Sequence, residues 1–146
     1  MKQNINKLEL AWAAGIMDAD GSITILNSSE RKLKNGNRVR YPELRLWLSN
    51  YDIKMVAKFK ELFGGTYYVV NRRDRRKPIQ TWCVACNMAE KALVLLEPYL
   101  VTKKEQARLA LRFQKEKESR LDIYPRHEEW EERCKYWISE AKKLKV

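Results

Sequence analysis

Apolar and polar positions follow two different rhythms along this chain. Near its start Leu8, Trp12 and Ile16 recur at every fourth position, the spacing of one helix face, and predict a helix over residues 7–18 that buries those three side chains. The rhythm then shortens to two. Ser22, Thr24, Leu26 and Ser28 alternate with Ile23 and Ile25, and further on Leu44, Leu46 and Leu48 alternate with Tyr41, Glu43, Arg45, Trp47 and Ser49. Asn35-Gly36-Asn37 lies between the two runs and signals a turn. Together they predict a hairpin with one greasy side and one polar, basic side.

The pattern then changes again. Asn50 is placed to cap a helix over residues 52–63, which Gly64-Gly65 ends. Residues 66–71 and 79–86 read as a second hairpin around Arg72-Arg73-Asp74-Arg75-Arg76-Lys77-Pro78. A short helix over 88–96 stops at Pro98. Thr102-Lys103-Lys104-Glu105 has the spacing of a capping box and starts a helix running to Ser119. Trp130, Cys134, Trp137, Ile138 and Ala141 share one face of a helix over 128–143. Hairpin, helix, hairpin, helices is the order of an α+β fold, with helices covering one face of an antiparallel sheet and the basic face left open. A single domain over residues 1–146 is expected: the first helix (7–20), the strands with their helix (22–87), and the C-terminal helices (88–146).

Composition narrows the class. The chain has 146 residues, 45% of them apolar, with five Trp, seven Tyr and three Phe, so it can build a core without disulfides or a structural metal. No apolar run reaches the ~18 residues of a membrane span. MKQNINKLEL lacks the apolar stretch of an export signal, and three Cys is an odd number, which points to a reducing, intracellular compartment: bacterial or phage cytoplasm, or an organelle. The net charge of +11 is unevenly placed: −1 over residues 1–21, +9 over 22–87 and +3 over 88–146. A positive field concentrated on the strands calls for a polyanion, nucleic acid ahead of an acidic membrane.

The first helix carries the candidate chemistry. Ala11, Ala14, Gly15 and Asp18 lie at helical spacing, and the small Ala11 and Gly15 let another backbone approach closely, from a second copy or from the chain's own core. The helix runs into Asp18-Ala19-Asp20-Gly21. Two carboxylates at the negative end of a helix dipole are unfavourable, and a hard divalent cation resolves the conflict; the plainer reading is a turn with Gly21. Other groupings fail. Cys83 and Cys86 point to opposite faces of a strand, and Cys134 with His127 completes no zinc spacing. His127 is expected in a solvated loop, and Trp12, Trp130 and Trp137 in the core.

Ala13-Ala14-Gly15-Ile16-Met17-Asp18-Ala19-Asp20-Gly21 resembles the signature of the LAGLIDADG homing endonucleases, departing chiefly at Ala13. Asn50-Tyr51-Asp52 with its helix and Gly64-Gly65, and Glu97-Pro98-Tyr99-Leu100-Val101-Thr102-Lys103, are similar to two further segments of that family, in the same order over residues 7–115. The resemblance implies a two-hairpin saddle and a site-specific endonuclease. It would hydrolyse one phosphodiester per strand of a long pseudo-palindromic double-stranded DNA site, with Mg²⁺ or in its place Mn²⁺, water being the nucleophile. A single motif implies the homodimeric branch, paired through Ala11, Ala14, Gly15 and Asp18. Asp20 then corresponds to the metal ligand, the Ala19 carbonyl to its backbone neighbour and Lys103 to the active-site lysine, here at the first helical position after Thr102. Asn50 stands where a polar residue orders the attacking water, and Lys54 is a further pocket candidate. Ser22, Thr24, Leu26, Ser28, Arg45 and Trp47 would follow a major groove. Arg31, Lys32, Lys34, Arg38, Arg40, Arg72, Arg73, Arg75, Arg76 and Lys77 would divide between phosphates and bases, with Arg73 and Arg75 as the base readers. The rival readings are a non-cleaving RNA maturase that helps its own intron splice, a DNA-binding regulator, or a basic protein-interaction domain.

Overall fold

Asn6 starts the first helix. Its side chain accepts the Glu9 N–H at 2.8 Å while the Glu9 carboxylate accepts the Asn6 N–H at 3.4 Å, a reciprocal capping box. The computed structural model describes residues 4–27, 30–71, 73–74 and 77–145, with Arg31 described by its backbone alone. The helix, α1 (Lys7–Asp20), buries Leu10, Ala13, Ala14 and Met17. This overturns the expected inward face: Leu8 is 83% exposed, Trp12 is 40% exposed and Ile16 is only half-buried. Both ladders have helical spacing. The inward side is taken by small Ala13 and Ala14, flanked by Leu10 and Met17, where α1 lies against α3 and the sheet.

The strands are β1 (Gly21–Asn27), β2 (Arg31–Lys32), β3 (Arg38–Val39), β4 (Pro42–Asn50), β5 (Thr66–Val70) and β6 (Ile79–Ala85). Four of them form one antiparallel sheet in the order β1-β4-β6-β5, and β2 with β3 makes a small separate ladder within the first hairpin. α1 passes into β1 with no loop between them. Gly21 permits this: a Cβ there would stand 2.8 Å from the Met17 carbonyl oxygen and overlap the Met17 sulfur. Ile23, Ile25, Leu44, Leu46, Leu48, Trp82 and Val84 form the buried face of the sheet, as alternation predicted for β1 and β4.

α2 (Ile53–Phe63) is capped by Asp52, whose side chain accepts the Lys54 N–H at 2.9 Å. Asn50 was expected in that role, but its backbone still belongs to β4, paired with Gln80; its side chain instead accepts the Asp52 N–H at 2.8 Å. Gly64 and Gly65 end α2 with φ of +76° and +84°. The Gly64 carbonyl accepts the Trp82 indole N–H at 2.8 Å, which fixes the helix end on the sheet.

The remaining helices are α3 (Cys86–Leu96), α4 (Lys104–Glu118), the single turn α5 (Arg120–Ile123) and α6 (His127–Lys143), with a 3-10 turn (Glu97–Tyr99) at Pro98. α3 begins directly after β6, through Cys86 at φ +52°, rather than at Met88. α6 buries Trp130, Cys134 and Trp137 on one face, as its periodicity predicted, and sets the two tryptophans against Phe113. His127 opens α6, half-buried and edge-on to Tyr41 at 5.6 Å, and not in a solvated loop. All three cysteines are free thiols, and burial pushes Cys134 up to about 12. Among the described residues no helix is long and apolar enough to cross a membrane.

Candidate active site

The carbonyl end of α1 collects negative charge, and Asp18 and Asp20 add to it. The fold separates the two. Asp18 turns toward the segment before α4, where its carboxylate accepts the Val101 N–H at 2.8 Å and the Lys103 N–H at 2.9 Å. The Lys103 ammonium donates to the Asp18 carbonyl oxygen at 2.6 Å, placing a cation on the negative end of α1. Burial works to raise the Asp18 pKa, but the N–H groups of Val101 and Lys103 and the Thr102 hydroxyl outweigh it, so the carboxyl titrates below its ordinary value. These bonds also explain why the expected Thr102 capping box does not form. The Thr102 hydroxyl is bonded to the Asp18 carboxylate, and Lys103, not Thr102, is the residue at the cap, with no side chain capping α4. Asp18, expected on a helix-pair interface, makes these bonds within its own chain.

Asp20 is left exposed, with no hydrogen bond or ion pair among the described residues, and Ala19 beside it is exposed as well. A bare carboxylate next to helix carbonyls is a hard oxygen donor set that suits Mg²⁺. Among the described residues no three metal-ligating side chains cluster, so further ligands would come from water, a substrate oxygen or a second copy.

Beside this end lies a cleft of about 330 Å³ lined by Gly21, Ser22, Thr102, Lys103, Gln106 and Lys145. Lys145 donates to the Thr24 hydroxyl at 2.9 Å, and Thr24 shares a second bond of 2.9 Å with Ser22. Gln106 donates to the Leu144 carbonyl at 3.4 Å. Gln106 and Lys145 escaped the sequence reading, because no local pattern joins Lys145 to a strand 121 residues away. Asn50 reaches the same end of the sheet by register: Gly21 pairs with Leu48, and β4 runs two residues further, alongside the last turn of α1. Lys54 is exposed in the first turn of α2 and does not line the cleft.

The open face of the sheet carries Ser22, Thr24 and Leu26 from β1, Arg45, Trp47 and Ser49 from β4, Thr81 and Cys83 from β6, and Thr66 and Tyr68 from β5. Contrary to the expected basic side, this floor is nearly neutral. Arg45 is its one cationic strand residue among those described, and it is paired with Glu43 at 3.1 Å and lies 5.9 Å from the Trp47 ring. The exposed cations sit at the two ends: Lys32, Lys34, Arg38 and Arg40 around β2–β3, and Arg73 and Lys77 in the β5–β6 loop. Ser28, Arg72, Arg75, Arg76 and the Arg31 side chain lie outside the described residues.

The outer face of α1 presents Leu8, Ala11, Trp12 and Gly15, and a Cβ built on Gly15 meets nothing within 4 Å. Ala14 does not belong to this stripe, being fully buried in the chain's own core.

A family profile described as LAGLIDADG endonuclease matches residues 13–118. Among solved structures, the chain is similar to the homing endonuclease I-CvuI in complex with a DNA target in the presence of magnesium, the DNA not cleaved; TM-score 0.73, 22% identity, covering 95% of this chain and 83% of that one. It is similar to the archaeal intron-encoded homing endonuclease I-Vdi141I complexed with DNA, with TM-score 0.72 and 14% identity over 95% of this chain and 85% of that one. It is also similar to the LAGLIDADG homing endonuclease I-SmaMI bound to cleaved DNA, with TM-score 0.63 and 16% identity over 95% of this chain but only 43% of that one. No curated protein matches.

Proposed function

The chain belongs to the LAGLIDADG endonuclease family, and from that premise we propose that it is a site-specific homing endonuclease acting on double-stranded DNA as a homodimer. Each subunit would cut one strand of a long pseudo-palindromic site with Mg²⁺, for which Mn²⁺ can substitute. The observation that carries this reading is the division of labour between two acids: Asp18 ties Lys103 to the end of α1, and Asp20 stands exposed at that same end, unpaired among the described residues.

Asp20 and the Ala19 carbonyl are the oxygens that would hold the cation. Bound there, it supplies Lewis acidity toward a phosphate oxygen. The Lys103 ammonium, fixed by the Asp18 carbonyl, offers its remaining protons to charge developing on the phosphate. Asn50 has its amide oxygen occupied by the Asp52 N–H, which leaves its NH₂ to orient water at the α1 end. Lys54 stands outside the cleft and is assigned to the DNA backbone. The neutral floor, including Arg45 and Trp47, would face base edges in the major groove, while the cationic ends hold phosphates. The outer stripe of α1 (Leu8, Ala11, Trp12 and Gly15) would pair with its own copy, bringing two Asp20 carboxylates toward a common axis.

The test is selection of cleaved duplexes from a randomised library with Mg²⁺, followed by the Asp20→Asn variant on the recovered site. The variant should bind the duplex and leave it uncut. Equal cleavage by the variant removes Asp20 from the chemistry. A library that yields no cleaved duplex, with tight binding to a structured RNA, overturns the reading in favour of a splicing cofactor.

A further inference from the structure

The cleft beside Asp20 holds two ammonium groups from distant parts of the chain. Lys103 enters from the start of α4 and Lys145 from the segment after α6. Like charges in one cleft repel, so neither would settle there without a reason. Yet the second is fastened twice: its ammonium donates to Thr24 at 2.9 Å, and the Gln106 amide donates to the preceding carbonyl, that of Leu144, at 3.4 Å. Burial and the neighbouring Lys103 both hold the Lys145 pKa below its ordinary value, which is the cost that a nearby anion would remove.

Each ammonium has three donors. Lys103 spends one on the Asp18 carbonyl and Lys145 spends one on Thr24, so both keep protons for a ligand. The other lining groups are neutral: the Ser22 hydroxyl, the Gln106 amide, and the Thr102 hydroxyl, which is already bonded to Asp18. A cleft with two cations, neutral donors and no carboxylate among its lining residues is made for a compact anion such as a phosphate oxygen pair. It opens beside Gly21, the residue after Asp20, on the side of β1 that carries Ser22 and Thr24.

We propose that Lys145 is a second substrate-contacting lysine of the active site, gripping with Lys103 one backbone phosphate of the DNA so that the strand is fixed over Asp20. This rests on the endonuclease reading above. It also reassigns Thr24: its hydroxyl holds Lys145 in place, so it is a positioning residue and not a reader of bases.

The experiment uses the full chain and the duplex recovered from the library selection, with Lys145→Ala, Lys145→Arg, Thr24→Val and, as a control for lost charge elsewhere, Lys135→Ala on the exposed side of α6. Single-turnover cleavage at saturating protein and the salt dependence of binding are both measured. Lys145→Ala should slow cleavage by roughly ten- to a hundredfold, as expected for a lost hydrogen bond to a charged group. It should also make the slope of log affinity against log salt shallower by about 0.9 per subunit, the signature of one missing phosphate contact. Lys145→Arg should restore the slope, and Thr24→Val should slow cleavage while keeping the charge. Lys135→Ala should change neither readout. The inference is overturned if the wild-type protein cuts the duplex and Lys145→Ala matches it in rate and slope, or if Lys135→Ala produces the same losses. If the wild-type protein neither binds nor cuts any duplex, the endonuclease reading itself fails, and this fails with it.

Discussion

Asp18 shows how one side chain can serve fold and site together. Its carboxylate accepts the N–H groups of Val101 and Lys103 just ahead of α4, and its carbonyl holds the Lys103 ammonium, so the same residue ties α1 to the segment entering α4 and delivers a candidate catalytic cation. An Asn at this position keeps the shape but has one acceptor oxygen and no charge. Asp18→Asn should therefore destabilise the chain by roughly 1.5–3 kcal/mol near neutral pH, the range for hydrogen bonds to a charged group. The pH dependence has a definite sign. The folded-state pKa of Asp18 lies below its ordinary value, so the stabilisation is complete above that ordinary value, about 4, and is lost as pH falls through the depressed one. Urea unfolding of the two proteins should give a constant gap between about pH 5 and 7 that narrows below about pH 4. A gap that widens in acid would mean that the carboxylate is not the stabilising form.

At the level of elements, α1 is the helix whose two sides compete. Its outer stripe leaves Leu8 and Trp12 in contact with water and Gly15 facing open space, although glycine weakens a helix interior. A stripe of this kind fits a second copy brought close at Gly15. In the isolated chain a Cβ at this position meets nothing within 4 Å, so Gly15→Leu should hold or raise the thermal stability of the isolated chain by about 0.5–1 kcal/mol through helix propensity. In the same variant the close approach is blocked, and sedimentation should give the mass of one chain where the wild type gives that of two. A dimeric Gly15→Leu protein would move the interface elsewhere. The orientation of α1 was also the point where the sequence was least legible. The ladder of Leu8, Trp12 and Ile16 and the ladder of Leu10, Ala13, Ala14 and Met17 have equal helical spacing, and periodicity does not distinguish a core within one chain from a surface shared by two. Elements whose partners are local were readable: the alternation of β1 and β4, the Gly64-Gly65 stop and the buried face of α6 all stand where the pattern puts them. The start of α4 was not, because the Thr102 signal is local and the carboxylate that displaces it comes from a residue 83 positions earlier than Val101. Within the candidate site, Asp20 and Lys103 were legible from motif segments, whereas the tether of Lys145 to Thr24 spans 121 positions and leaves no mark in either segment.

At the scale of the whole molecule, the net charge of +11 is arranged by the fold more finely than by the sequence. The strands hold a trough floor with Arg45 neutralised by Glu43, while exposed Lys and Arg gather at the hairpin ends. On the proposed function such a trough would attract a duplex by its rims and leave the floor free to discriminate, so that affinity should fall with salt while selectivity does not. If two copies build one continuous trough, each Asp20 belongs to one strand, and the two cuts become separable. Mixing wild-type protein with Asp20→Asn and allowing subunits to exchange gives about half mixed dimers at equal amounts when pairing is random. On a supercoiled plasmid carrying the recovered site, those mixed dimers should yield nicked circles, whereas wild-type dimers linearise it and doubly substituted dimers leave it intact. Nicked product that rises and falls with the mixed fraction, separated on a gel, supports one acid per strand. Mixed dimers that are wholly inactive would mean instead that both carboxylates hold a shared cation and that neither strand is cut without the pair.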